Sequence, residues 1–173
     1  MKLFLSALFC LISATLNAEP RIAILDFELK DLTLAPGIPA EIQRTASIQP
    51  LLQKELASAG YTIIDIPLAA QHAADSGVGY LFDHADTAAG LGKQFGADYV
   101  LVGRLHKPSF LFAYLMGHLI KVDNQKQIAS FITESKGPNS ELVIKAVETL
   151  ADKIDAQLEN RYTPPPPRKL PVH

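Results

Sequence analysis

The sequence predicts a single α/β domain of mixed type, with helices packed on a sheet of about five strands in the order β-α-β-(α)-α-β-β-β-α. Three observations carry that prediction. Gly96-Ala97-Asp98 reads as a helix stop, and the Tyr99-Val100-Leu101-Val102-Gly103 after it is apolar at almost every position, as a strand covered on both faces must be. A turn at Lys107-Pro108-Ser109 then leads into Phe110 to Val122, a second long extended run that returns beside the first. Towards the C-terminus, Val143, Val147, Leu150, Ile154 and Leu158 recur at three- and four-residue spacing, the period of a helix with one buried face.

Taken in order, the chain opens with Met1-Lys2, an apolar Leu3 to Ile12, and small and polar residues up to Ala18. That is the pattern of a Sec-type signal peptide (residues 1–18) cleaved after Ala18. It is too short for a membrane span, which needs ~20 apolar residues, and Asn17, Glu19 and Pro20 interrupt it. Cys10 follows the bulky Phe9, where a lipid-modification site has Gly or Ala. Cleavage leaves 173 − 18 = 155 residues, one domain's length, expected over 19–160. The remaining 15 basic and 18 acidic residues give a charge of −3.

Arg21 to Leu29 is apolar at nearly every position up to Leu25 and reads as one central strand. Asp26 and Glu28, two apart, share a face at its C-terminal end, where open α/β sheets place ligands; a strand emerging into solvent produces the same pair. Lys30 to Thr45 holds Pro36, Gly37 and Pro39 without a sustained period and reads as a long loop. A helix follows with Ser47 as N-cap, Pro50 in its first turn, a stripe of Ile48, Leu51, Leu52, Leu56 and Ala59, and Gly60 as stop. Tyr61 to Ile66 is a β-branched strand ended by Pro67. A short helix over Leu68 to Ala74 and a Gly77/Gly79 loop lead to a helix over Thr87 to Phe95, capped by Asp83 or Asp86, in which Gly90 and Gly92 permit close approach to the sheet. Gln127 to Ser135 alternates as an outer strand does. Asn139 or Ser140 caps the last helix, which runs to about Asn160, and residues 161–173, with Pro164 to Pro167, form a polyproline-type tail.

The sequence excludes more chemistry than it supports. Cys10 is the only cysteine and leaves with the signal peptide, which removes disulfides, thiolate metal sites and a cysteine nucleophile. Dispersed Lys and Arg on a mildly acidic chain leave no electrostatic footprint for nucleic acid. Gly77-x-Gly79 has Phe82 where a dinucleotide fingerprint needs its third glycine, and Gly92-Lys93 lacks the rest of a phosphate loop. No cofactor motif, Gly-x-Ser-x-Gly elbow or His-Glu-x-x-His pair is present.

Asp83, His84 and Asp86, with His72 and Asp75 upstream, offer oxygen and imidazole ligands to a cation, although helix capping accounts for the aspartates. His106 and His118 stand on facing strands, with no partner acid evident. Arg104, His106, Lys107 and Ser109 are the one polar concentration inside an apolar strand pair. They suit a partner or an anion, or simply keep a turn soluble.

Arg21-Ile22-Ala23-Ile24-Leu25-Asp26-Phe27-Glu28, Gly60-Tyr61-Thr62-Ile63-Ile64-Asp65, the Gly96 to Gly103 strand and the Lys107-x-Ser109 turn together resemble a family of secreted bacterial proteins known only as a domain of unknown function. The resemblance covers most of Arg21 to Leu158. More distantly, the same order is similar to the N-terminal domain of TolB and the periplasmic domain of CsgG. The resemblance implies a small mixed sheet used for protein assembly rather than catalysis. The chain departs from the family at Pro108, at His84 and Thr87 where members carry cysteines, and over Lys136 to Val143, so nothing specific to those positions carries over.

The expected function is a periplasmic, non-enzymatic accessory or assembly module that contacts a periplasmic or outer-membrane protein through Gln127–Ser135 or the Arg104–Ser109 turn. A small-molecule or metal-ion sensor or carrier built on Asp26, Glu28 and Arg104, with 30–45 as a lid, is the alternative, and a hydrolase comes third.

Overall fold

The computed structural model describes residues 19–135 and 140–161. The expected signal peptide with its cleavage point at Ala18, the expected turn at 136–139, the side chain of Ser140 and the expected tail from residue 162 onwards lie outside the described residues.

Everything is laid against one strand, β4 (Tyr99–Lys107). The sheet runs β3 (Thr62–Ile64), β1 (Arg21–Ile24), β4, β5 (Tyr114–Lys121), β6 (Lys126–Glu134), and β2 (Glu28–Asp31) also pairs with β4. β1 and β2 are parallel to β4, β5 runs antiparallel to β4 and β6 antiparallel to β5, so the sheet is mixed.

The stretch 21–29, expected as one strand, is broken. Ile24 lies opposite Leu101 and Glu28 opposite Arg104, so Leu25, Asp26 and Phe27 face only Val102 and Gly103. One extra residue is a β-bulge, and it shifts the side-chain alternation by one. Ile22 and Ile24 before it, and Phe27 and Leu29 after it, therefore reach the same core. The bulge makes the sheet six-stranded. The Phe27 ring fills the space above Gly103, where an added Cβ would overlap it. Gly103→Ala should accordingly cost about 1–3 kcal/mol in urea unfolding, because the ring has no vacant volume to enter.

Helices cover both faces. On one, α2 (Ile48–Ser58) and α6 (Ser140–Leu158) deliver Ile48, Leu52, Leu56, Val147, Leu150 and Ile154 onto Leu101, Leu105, Leu119 and Phe131. On the other, α3 (Leu68–Ala74), α4 (Tyr80–Asp83) and α5 (Ala85–Gln94) cover Ala23, Leu25, Val100, Val102 and Ile120. Gly92 lets α5 sit on Val100, as expected of it; Gly90 has no such neighbour.

Four local expectations are corrected, the first being the cap of α5: its N-cap position is His84 and no side chain caps it, so neither Asp83 nor Asp86 does so. The loop expected over 30–45 contains α1 (Pro39–Ala46), with Pro39 opening it where a missing N–H is harmless. Ser47 does not cap α2 with its side chain; it joins two helices and its hydroxyl donates to the Arg44 carbonyl at 2.7 Å. The strand after Pro108 begins at Tyr114 rather than Phe110.

Candidate functional site

β4 ends by splitting the polar concentration read from its sequence. Alternation sends Arg104 and His106 to the α4 face and Lys107 to the α2/α6 face. The residues expected to form one turn site thus belong to two clusters and a cap.

On the α4 face, Arg104 forms an ion pair with Glu28, its register partner on β2, and its guanidinium lies 4.1 Å from the centre of the Phe82 ring. The His118 ring packs against the same ring, tilted by 34° with centres 4.0 Å apart, and its Nδ1 makes a 3.1 Å hydrogen bond with the Phe82 carbonyl. Phe82 is held between two cationic or potentially cationic groups, which pins α4 to the sheet. Burial pushes the His118 imidazole below its ordinary range, and Arg104 adds to that, against the Phe82 carbonyl and Asp83. His106 is also lowered, by burial first and then by Lys30 and Arg104. It sits opposite Tyr114 while His118 sits opposite Val102, so the two histidines do not meet.

A histidine whose folded pKa is depressed leaves the unfolded chain binding the proton more readily. Stability should therefore fall as pH drops below about 6.5, the unfolded value. Urea midpoints compared at about pH 7.5 and pH 5.5 should show this loss, and His118→Gln, which can keep the bond to Phe82, should reduce it.

Beside this cluster a cleft of about 350 Å³ opens over the bulge, lined by Asp26, Glu28, Gln71, His72 and Asp75 among others. Asp26 and Glu28 do share this cleft. Gln71 builds its floor, accepting from Asp26 N at 2.9 Å and donating to the Ile66 carbonyl at 2.8 Å. Asp83, His84 and Asp86 stay apart from it: His84 stacks on Tyr80 and bonds its carbonyl, and Asp86 lies in the first turn of α5. Among the described residues no group of three or more His, Cys, Asp or Glu could hold a metal ion.

On the opposite face Lys107 is buried between carboxylates, 3.0 Å from Glu41 and 3.7 Å from Asp31. Glu41 in turn pairs with Arg44 at 3.1 Å, and Arg44 donates to the Ser135 hydroxyl and carbonyl at 2.6 and 3.1 Å. Burial raises the Asp31 carboxyl, but hydrogen bonds from Thr33 and Gly37 and the Lys107 charge outweigh it and hold the group below the usual carboxylate range. Two cations and two anions therefore cancel inside the protein. Ser109 is a turn residue: its Oγ accepts from Leu111 N and Phe112 N at 3.3 and 3.2 Å. The sequence reading missed Asp31, Glu41, Arg44 and Ser135; the Glu-x-x-Arg spacing of Glu41 and Arg44 was the available signal.

With Arg104 and Lys107 committed to ion pairs and Ser109 to its turn, the open polar backbone lies elsewhere. β6 ends the sheet, and no described strand pairs with its outer side. Ser135 N donates to Ala113 O, which directs the odd-numbered backbone groups towards β5. Ser130 and Ile132 therefore point their N–H and C=O outwards. The Ile132 carbonyl is met at 2.7 Å by Lys153, a half-buried lysine of α6 lying across the edge. α6 covers one face of β6, and on the other face Ser130 and Ile132 are exposed.

Comparison with known proteins adds the following. The family model described as "Protein of unknown function (DUF2380)", DUF3280, matches residues 20–154. No curated protein sequence matches the chain. Among solved structures, the hypothetical protein CT253 from Chlamydia trachomatis aligns with a TM-score of 0.58 at 11% identity, over 82% of this chain and 99% of that one. The PelC dodecamer from Paraburkholderia phytofirmans gives 0.52 at 16%, over 80% and 87%. TolB from Acinetobacter baumannii gives 0.52 at 16%, over 83% of this chain but 29% of TolB. At these identities the likeness is one of fold. The TolB match supports the resemblance in fold read from the sequence, whereas that to CsgG rests on sequence alone.

Proposed function

The chain belongs to the DUF3280 family of proteins of unknown function, and on that premise we propose that it is a non-enzymatic accessory module of the bacterial periplasm that acts by protein contact, adding a strand of its partner to the outer edge of β6. The observation that carries this reading is the edge itself: nine residues long, with Ser130 and Ile132 presenting backbone groups outwards and one face left open. Long exposed edges are templates for pairing, and proteins that avoid pairing block them. Among the described residues, the side chain bonded to this outward backbone is that of Lys153, one hydrogen bond that an incoming strand would have to replace. The N-terminal signal pattern supports the periplasmic setting, and one protein of like fold, PelC, forms a dodecamer, which is consistent with an assembly role.

The test is capture of the partner from periplasmic extract by the wild-type chain and by Ser130→Pro. The proline removes one outward N–H and leaves the β5 ladder untouched. The partner should be retained by the first and lost by the second.

A second reading, a small-molecule carrier, is favoured by the cleft over Asp26 and Glu28. A ligand at 100 times its dissociation constant would add ~2.7 kcal/mol to stability in a thermal-shift screen.

A further inference from the structure

We infer that the end of the sheet beyond Lys107 is a lipid-facing surface, whose two loop tips seat in the interfacial layer of a bilayer. This is separate from the β6 edge and does not rest on it. Leu32, Leu34 and Ile38 on the loop after β2, and Phe110, Leu111 and Phe112 on the loop after β4, are all exposed; Leu34 is 97% and Leu111 74% accessible. The two loops are joined at their bases: Leu32 N donates to the Lys107 carbonyl at 2.9 Å, and the Lys107 ammonium lies 5.7 Å from the Phe110 ring centre. Six large apolar side chains exposed at one end of a domain are a feature that marks a contact site for a protein or a membrane.

Two further observations choose lipid over a protein partner. First, neither tip carries a charge. Residues 32–40 and 108–117 contain no Asp, Glu, Lys, Arg or His, whereas protein interfaces keep a polar and charged rim. Second, tip backbone donors are satisfied from within. Asp31 accepts from Thr33 N and Gly37 N, and Ser109 accepts from Leu111 N and Phe112 N. In water such caps are optional; next to hydrocarbon an unpaired N–H is costly. The ionic groups beneath, Asp31, Glu41, Arg44 and Lys107, are mutually neutralised and buried, and the exposed Lys30 is left at headgroup level.

The experiment uses the mature chain from Glu19, which has no cysteine of its own, with an environment-sensitive dye on a single introduced cysteine. Leu34→Cys and Leu111→Cys report on the tips. Gln127→Cys reports on the opposite end of the sheet, where β6 begins. With vesicles of phosphatidylethanolamine and phosphatidylglycerol, emission at both tips should shift to the blue and rise about threefold as the dye leaves water, with Gln127 unchanged. No change at the tips overturns the inference, as does an equal change at all three positions. A rise with protein concentration in the absence of vesicles also overturns it, since the surface would then be covered by a second copy of the chain.

Discussion

Lys107→Met should lower the stability of the domain by about 3–5 kcal/mol, the range seen when one partner of a buried ion pair is removed. Methionine matches the stem of lysine, so the loss is one of charge rather than volume. Without the ammonium, Asp31 and Glu41 remain buried with only Arg44 to balance them, and Glu41 already shares that cation. The drop should appear as a lower urea midpoint with unchanged slope, and as a melting temperature lower by on the order of 10 °C. Adding Glu41→Gln should cost less in the Lys107→Met background than alone, because the surplus charge is removed with it, and the coupling should fall within about 0.5–3 kcal/mol. A loss under about 1 kcal/mol for Lys107→Met would instead describe a solvated lysine. The sign with pH follows from Asp31, whose carboxyl is held low in the folded state. Its contribution is present above the unfolded carboxylate range and is lost as pH falls through the folded pKa.

Ser130→Pro should abolish partner binding while leaving the fold intact. A strand added to β6 draws its affinity from main-chain hydrogen bonds, and Ser130 and Ile132 supply the outward set. Proline at 130 removes a donor and stands its ring in the path of the incoming strand. Since Ser130 is exposed and its N–H does not serve β5, the variant should unfold within about 1 kcal/mol of the wild type. Phe131→Pro is the contrast: its N–H faces β5 and its side chain is fully buried, so the fold itself should fail.

The central and return strands were legible as long apolar runs set off by Gly96 and the Lys107–Ser109 turn, and the outer strand and the last helix because each keeps one period over many residues. The bulge was not. Both faces of 22–25 are apolar, so a phase shift from Ile22 and Ile24 to Phe27 and Leu29 leaves no mark in the pattern. α1 was hidden for the opposite reason: it buries Glu41, Arg44 and Thr45 and exposes Ile42, which inverts the pattern that reveals an amphipathic helix. The polar cluster at 104–109 was found, but a strand's alternation divides it between two faces. Charges at a strand end look solvated until their partners, brought from Asp31 and Glu41, are known. The edge at β6 was readable from alternation; which of its backbone groups point outwards depends on register, which only the pairing with β5 supplies.

The claim that the domain works through the β6 edge is tested most directly by photo-crosslinking in living cells. A photoreactive amino acid at Ile132, on the open face of the edge, is compared with one at Thr62, on the short strand at the other side of the sheet. A protein adduct of one defined size at Ile132, missing at Thr62 and lost when Ser130→Pro is present, is the result predicted. Adducts at Thr62 but not at Ile132, or an Ile132 adduct that survives the proline, would contradict it.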